Sequence, residues 1–419
     1  MRRVASALAA ASVLAAVTGT VTASPVQADS TQSKVVSANP ANSTPNALDG
    51  TVYAFAVVGS KIVVGGSFTQ IRNAGSKTVV KQKYLFAYDA KTGKIDTGFK
   101  PALNGTVYAL ATGPSGTVFA GGSFTTVNGA ANRGLVRLTP TGKRTGKFAL
   151  GNGNVRDLIS RGSQLYVGGA FTKINGASRS LLARLNTSTG AVDSKINFSF
   201  SDPINGGALK IYDMALTPGG SRLVTTGSFM KVSGKSRPQV AMFDTSGSLT
   251  TWATSRYGPV CNNAAFDSYI RDVDFSPDGK YFVIVTTGGP FGNTTLCDSA
   301  ARWETAKTGA GQQPTWVNWT GGDSLYAVSV TGAAVYVGGH QRWLNNPYGH
   351  DSAGPGAVSR PGIGALSAGT GKALSWNPTR TRGHGVEVLD AYASGLLVGS
   401  DTEELGHEYH ARLGMFPLS

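Results

Sequence analysis

From about residue 50 to its end the chain alternates short apolar, β-branched runs with turns marked by glycine or aspartate. Val52-Tyr53-Ala54 leads to Ile62-Val63-Val64-Gly65-Gly66-Ser67-Phe68-Thr69, and Val107-Tyr108-Ala109-Leu110 leads to Val118-Phe119-Ala120-Gly121-Gly122-Ser123-Phe124-Thr125. Val155-Arg156-Asp157-Leu158 leads in the same way to Leu165-Tyr166-Val167-Gly168-Gly169-Ala170-Phe171-Thr172, and a fourth copy runs from Leu223 to Phe229. Weaker copies centre on Phe282 to Gly288, Val335 to Gly339 and Leu396 to Ser400, which makes seven units. The marker glycines Gly66, Gly122, Gly169, Gly227, Gly288, Gly339 and Gly399 are 56, 47, 58, 61, 51 and 60 residues apart, room for four short strands with their turns. No apolar period of 3.6 residues lasts beyond two turns outside the N-terminus, and 56 glycines punctuate the chain.

The pattern predicts an all-β protein, a single β-propeller of about seven four-stranded blades over residues 50–419. In each unit a tight turn such as Pro114-Ser115-Gly116 joins the first two strands. The second strand ends in Gly-Gly, expected where backbones crowd near a central axis. A third strand such as Leu182 to Leu185 runs into a turn such as Asp89-Ala90-Lys91-Thr92-Gly93, and the outer strand follows. The seventh unit stops after its third strand. The stretch Lys34 to Ala38, in the segment 29–49, is therefore predicted to supply the missing outer strand and close the ring.

Residues 1–28 read as a signal peptide: Arg2 and Arg3, an apolar run from Val4 to Val21, then Val26-Gln27-Ala28. The expected product is secreted, extracellular and monomeric, with no membrane span once the signal is cleaved. In that setting Cys261 and Cys297 are expected to form one disulfide, stabilising the fold by about 3 to 4 kcal/mol. Without the leader arginines the chain holds 36 basic and 23 acidic residues, read as evenly spread. Such a surface suits an exported protein near polyanionic envelope polymers, and equally suits plain solubility. No run of consecutive basic residues forms a nucleic-acid arm, so no specific nucleic acid is expected as partner.

The units resemble a family of actinobacterial secreted propellers built on a G-G-x-F-T…N-G repeat related to delta-60 repeats. The resemblance is strongest at Gly121 to Gly129, Gly168 to Gly176 and Gly338 to Leu344. Ser233-Gly234 replaces Asn-Gly in the fourth unit, and the last three units lose the Phe-Thr pair. The resemblance implies the propeller fold and secretion but no mechanism, because members are mostly without an assigned activity.

Enzyme signatures are weak. There is no G-x-S-x-G elbow, H-E-x-x-H pair or phosphate loop, and His407 and His410 are too poorly spaced on a strand to make a metal pair. All five histidines, His340, His350, His384, His407 and His410, lie in the last two units. If the loops of those units open on one face, three segments converge there. The candidate ligand site is then His340, Arg342, Trp343, Asn345, Asp351, Arg382, His384, Asp401, Glu403 and His407, with Asn346, Arg380 and Glu404 beside them. Arginine and asparagine can grip hydroxyls or carboxylates, and Trp343 can stack on a sugar face. Asp401 with Glu403 offers a carboxylate pair or a calcium ligand set; no other cofactor or metal is expected. Equally, Arg342 can simply pair with Asp401 and the loops only cap the ring. Arg133, Arg179 and Arg237 are expected to bond from blade to blade.

The leading functional reading is a non-catalytic binding propeller for an extracellular glycan or anionic envelope polymer. A glycan-active hydrolase or lyase, with Asp401, Glu403 or His340 as acid and base, is the alternative, and a scaffold without a small ligand the third.

Overall fold

Short β-branched runs bounded by turn residues can satisfy their backbone only by pairing with one another. The computed structural model describes residues 31–418 except 263, 264, 291, 381, 382 and 384. Over these residues the chain is all-β, with two 3-10 turns at Pro114–Gly116 and Ile204–Gly206. The proposed leader, residues 1–28, lies outside the described residues. No described helix is long and apolar enough to cross a membrane.

Seven main antiparallel sheets follow one another along the chain. Their inner strands are Val52–Val58, Val107–Thr112, Asn154–Arg161, Ile211–Leu216, Ile270–Phe275, Leu325–Val330 and Val386–Tyr392. Each inner strand packs against that of the next sheet, and the last, Val386–Tyr392, packs against the first. The core accordingly lies between sheets. Leu85 and Ala87 of the first sheet pack with Leu110 and Val136 of the second, and Leu397 and Leu413 of the last pack with Phe55 and Phe86 of the first. Phe119, fully buried, meets Phe148 edge-on at 5.0 Å; burial of a side chain of this kind contributes roughly 2 to 3 kcal/mol.

Four strands form in the second, fourth and fifth sheets only. In the first, third and sixth the expected outer strand shrinks to a single bridge, Tyr88–Ile95, Leu185–Val192 or Leu366–Ala373. The ladder stops in the first and third sheets because the next donors in register, Gly98 N–H and Lys195 N–H, turn back to Asp96 Oδ1 and Asp193 Oδ1 instead of reaching the neighbouring strand.

The ring-closing strand expected at Lys34 to Ala38 does not form. Ser37 N–H donates to Pro417 O and Ala41 N–H to Met415 O, both at 2.8 Å, so the segment does lie along the open edge of the last sheet. The donor between them on that side, Asn39 N–H, bonds Ser37 Oγ instead, which interrupts a continuous ladder. Trp376 Nε1 on Ser37 O and Val36 N–H on Tyr336 Oη hold the segment in place.

After the second strand of most sheets the chain forms a minor hairpin. Thr126–Val127 pairs with Ala130–Ala131, and Lys173–Ile174 with Ala177–Ser178. Their two-residue loops need positive φ at both positions, which Asn128 (51°) with Gly129 (78°), and Asn175 (44°) with Gly176 (84°), supply. In the fifth sheet this place is taken by the loop that carries the Cys261–Cys297 disulfide.

Candidate functional site

The seven inner strands share one irregularity. In the first, Val52 pairs with Gly66 and Ala54 with Gly65, which leaves Tyr53 as an extra, unpaired residue. The same slip isolates Tyr108, Arg156, Tyr212, Arg271, Tyr326 and Glu387 in the other six. A β-bulge of this kind re-aims one side chain. The Gly-Gly pairs lie opposite the bulge, not at the central axis as expected. A Cβ on Gly66 would sit 2.1 Å from Thr51 O, and one on Gly65 would sit 2.6 Å from Val107 Cγ1 of the next sheet. The glycines therefore let the bulge close and the neighbouring sheet approach.

All seven bulge residues are half-buried and line one pocket of about 560 Å3 between the inner strands. They form a belt of ring and cation contacts. Tyr53 and Tyr108 are 5.6 Å apart; the Arg156 guanidinium lies 4.3 Å from the Tyr108 ring and 5.9 Å from Tyr212. Arg271 lies 5.5 Å from Tyr212, 5.8 Å from Tyr326 and 5.2 Å from Phe266. Both arginines are pre-oriented by stacking, and each keeps a buried Nε without a hydrogen-bond partner. Among the described residues neither joins an ion pair, whereas Lys210 and Tyr212 Oη on the same rim both bond to Asp267.

Below this belt lies a tier of acids, Asp157, Asp213 and Asp272, each directly after a bulge residue. Their carboxylates serve the edge of the next inner strand: Asp213 Oδ2 accepts Val273 N–H at 2.9 Å, and Asp272 Oδ2 accepts Val328 N–H at 2.7 Å. Asp274 Oδ2, deeper, accepts Val330 N–H at 2.7 Å. Burial pushes the Asp157 carboxyl up to about 7, with the charge of Asp272 adding to it. Burial and the charges of Asp272 and Asp157 hold Asp213 well above the carboxylate range.

The structure divides the loop residues proposed from sequence. His340 reaches the belt: its ring meets Tyr326 edge-on at 5.4 Å, with Nδ1 3.2 Å from Tyr326 Oη. Asp401 lies close by, accepting Gly385 N–H at 3.0 Å, and a Cβ on Gly385 would touch the Tyr326 ring at 2.8 Å. Arg342 pairs with Asp323 through Nε (2.8 Å) and Nη2 (3.0 Å), and also with Asp351, instead of with Asp401. Its guanidinium covers the Trp343 ring at 4.3 Å, so that indole is not an open platform. Asn345 is structural, exchanging bonds with Asn318 and holding Ala373 N–H; Asn346 is fully buried and bonds Thr320 O, Ser352 O and Gly354 N–H.

Glu403 sits 3.6 Å from Arg412 Nη1, and exposed His407 bonds Thr379 Oγ1 on a hairpin of the last unit. Arg382 and His384 lie outside the described residues. Among the described residues no group of three or more His, Cys, Asp or Glu is placed to hold a metal ion. Arg179 and Arg237 bond carbonyls of their own units, Asp193 O and Thr250 O, rather than the next blade. Arginines that do reach the next unit include Arg137 on Thr187 O, Arg161 on Pro218 O, Arg184 on Thr245 O and Arg302 on Ala368 O.

The belt was missed because its identity changes from unit to unit. The available signal was positional: in each unit it is the residue just after the first apolar residue of the inner strand.

Seven sheets packed strand to strand around a polar pocket define a β-propeller. Residues 113–144 and 164–194, which contain Gly121-Gly122 and Gly168-Gly169, match a β-propeller domain of unknown function, DUF5122. No curated protein matches the chain.

Proposed function

We propose that this chain is an exported, non-catalytic binding propeller of seven blades that takes an anionic saccharide at its axial belt. The observation that carries the reading is the pair of stacked guanidiniums of Arg156 and Arg271 flanking Tyr212 in a concave pocket, neither of them in an ion pair among the described residues. Tyrosine faces and hydroxyls suit a sugar ring, and two fixed guanidiniums suit its carboxylate, sulfate or phosphate. The leader-like residues 1–28 and the Cys261–Cys297 disulfide support an extracellular setting.

The test is binding of trigalacturonate, measured calorimetrically with purified mature protein and with the Arg156→Ala/Arg271→Ala variant. Each lost charge-assisted contact removes about 1.5 kcal/mol or more, so the double variant is expected to bind at least roughly a hundredfold more weakly. Unchanged affinity would sink the axial site. A hydrolase or lyase is the second reading, favoured by the Asp157 carboxyl held near 7 under the belt, within the range of a general acid. Release of new reducing ends from polygalacturonate, abolished by Asp157→Asn with binding retained, would favour it over the binding reading.

A further inference from the structure

Charge is distributed unevenly along the chain, contrary to its even appearance in composition. Residues 31–250 hold 25 lysines and arginines against 8 acids, whereas residues 251–419 hold 11 against 14. The first four sheets are thus strongly basic and the last three slightly acidic.

The basic excess has a regular component. Lys100, Lys147 and Lys195 occupy the same place on three consecutive links between sheets, each beside the turn that leads into the outermost strand of the following sheet. The contact is through backbone. A Cβ on turn residue Gly142 would meet Pro101 N at 2.8 Å, one on Gly190 would meet Lys147 O at 2.4 Å, and one on Gly247 would meet Lys195 O at 2.8 Å. Asn175 Nδ2 also donates to Lys147 O. With the backbone docked in this way, all three side chains are exposed and none joins an ion pair among the described residues. Lys94 and Lys143, on the adjoining turns, are exposed and unpaired as well. At the corresponding link between the fifth and sixth sheets the contact on Gly371 is made by the Trp316 ring.

From this row we infer a second binding surface: Lys100, Lys147 and Lys195 form a one-per-sheet ladder for an extended acidic polysaccharide running along the outer side of the first four sheets. This deepens the proposed function and rests on it, since it would hold the chain whose anionic unit the axial belt receives. Flexible point charges that recur from one sheet to the next suit a polymer of repeated negative charge and need no shape match. Single-stranded nucleic acid is disfavoured because stacking on aromatics normally accompanies such basic tracks, and duplex DNA is left as the competitor in the test. Among the described residues the exposed large apolar ones are Val79, Val260, Tyr348 and Tyr409, and none adjoins the ladder lysines in sequence.

The experiment compares long polygalacturonate with trigalacturonate, over a salt titration, on mature protein and three variants. Lys100→Glu/Lys147→Glu/Lys195→Glu is expected to weaken long-polymer binding at least tenfold and to lower the slope of log affinity against log salt by about two, by counterion release. It should leave trigalacturonate binding and the melting temperature unchanged. Lys307→Glu/Lys372→Glu, exposed lysines of the later sheets, should leave both affinities within about twofold by screening of distant charge. Arg156→Ala/Arg271→Ala should lose trigalacturonate but keep the salt-dependent polymer term, so that failure of the axial site and failure of the ladder are distinguishable. The ladder is overturned if the triple reversal leaves polymer affinity and salt slope unchanged. It is equally overturned if duplex DNA of matched charge displaces polygalacturonate at equal or lower concentration. Should the triple reversal fail to fold, Lys→Gln at the same three positions carries the same expectation with about half the loss of slope.

Discussion

A carboxyl that keeps its proton in the folded protein makes stability depend on pH in the direction opposite to that of a salt-bridged acid. Asp157 stands at 3.8 when unperturbed and is pushed by burial to about 7 in the fold, so between those values the folded chain holds more protons than the unfolded one. Its contribution is therefore present below about pH 4 and is lost as pH rises to 7. Thermal melts should show lower stability at pH 8 than at pH 5, and Asp157→Asn, which keeps an oxygen for Leu158 N–H, should flatten that fall. Identical pH profiles for the two proteins would exclude Asp157 as a source. The seven bulge residues show the same dependence on surroundings: Tyr108 and Arg156 become neighbours at 4.3 Å only because two sheets meet.

At the scale of the element, the Gly-Gly pairs and the bulges are one device. The second glycine leaves room for the carbonyl before the bulge, and the first admits the next sheet, as where a Cβ on Gly121 would lie 2.4 Å from Val155 Cγ1. Gly121→Ala is expected to cost about 1 to 3 kcal/mol by overpacking. Gly219→Ala, where nothing lies within 4 Å, should be near neutral or stabilising. Urea denaturation of the two variants checks the contrast; equal midpoints would show that the sheets can separate without penalty. The minor hairpins depend on asparagine in a related way. Asn175 satisfies Ala149 N–H, Lys147 O and Gly190 O at once, and Asn175→Ala should cost about 2 to 3 kcal/mol by orphaning them.

For the whole molecule, the segment from Gln32 to Ala41 and the strand Leu413–Pro417 meet at the last sheet. Gln32 Nε2 donates to Tyr392 O and Gly395 O, Ser37 and Ala41 donate to Pro417 O and Met415 O, and Val36 is buried against Tyr336 and Trp376. Deleting residues 29–42 should uncover this edge and lower stability by about 3 to 5 kcal/mol, from lost apolar burial and unpaired backbone. Calorimetry on the truncated chain tests this, and an unchanged melting temperature would show that the segment only rests on the surface.

Much of the architecture was legible from local rules. Strand and turn chemistry act over a few residues, so the all-β class and the Asn-Gly hairpins follow from the sequence, and the Cys261–Cys297 pairing is the one bridge two cysteines allow. The failures share a cause. Asn39 N–H turns back to Ser37 Oγ and Gly98 N–H to Asp96 Oδ1, so short-range side-chain bonds take donors that the outer ladders would have used. The axial belt is the deepest case. Alternation along Val52-Tyr53-Ala54 describes a regular strand, while the bulge that turns Tyr53 into the pocket exists only when strand, glycine pair and neighbouring sheet are packed together. Of the loop histidines, His340 is held by Tyr326 Oη at the belt and His407 by Thr379 Oγ1, partners that no local rule connects to them. The sequence alone therefore determined which segments become strands and where they turn. Only tertiary packing decided which single residue per strand faces the axis, because that choice depends on pairing between residues that no local rule connects.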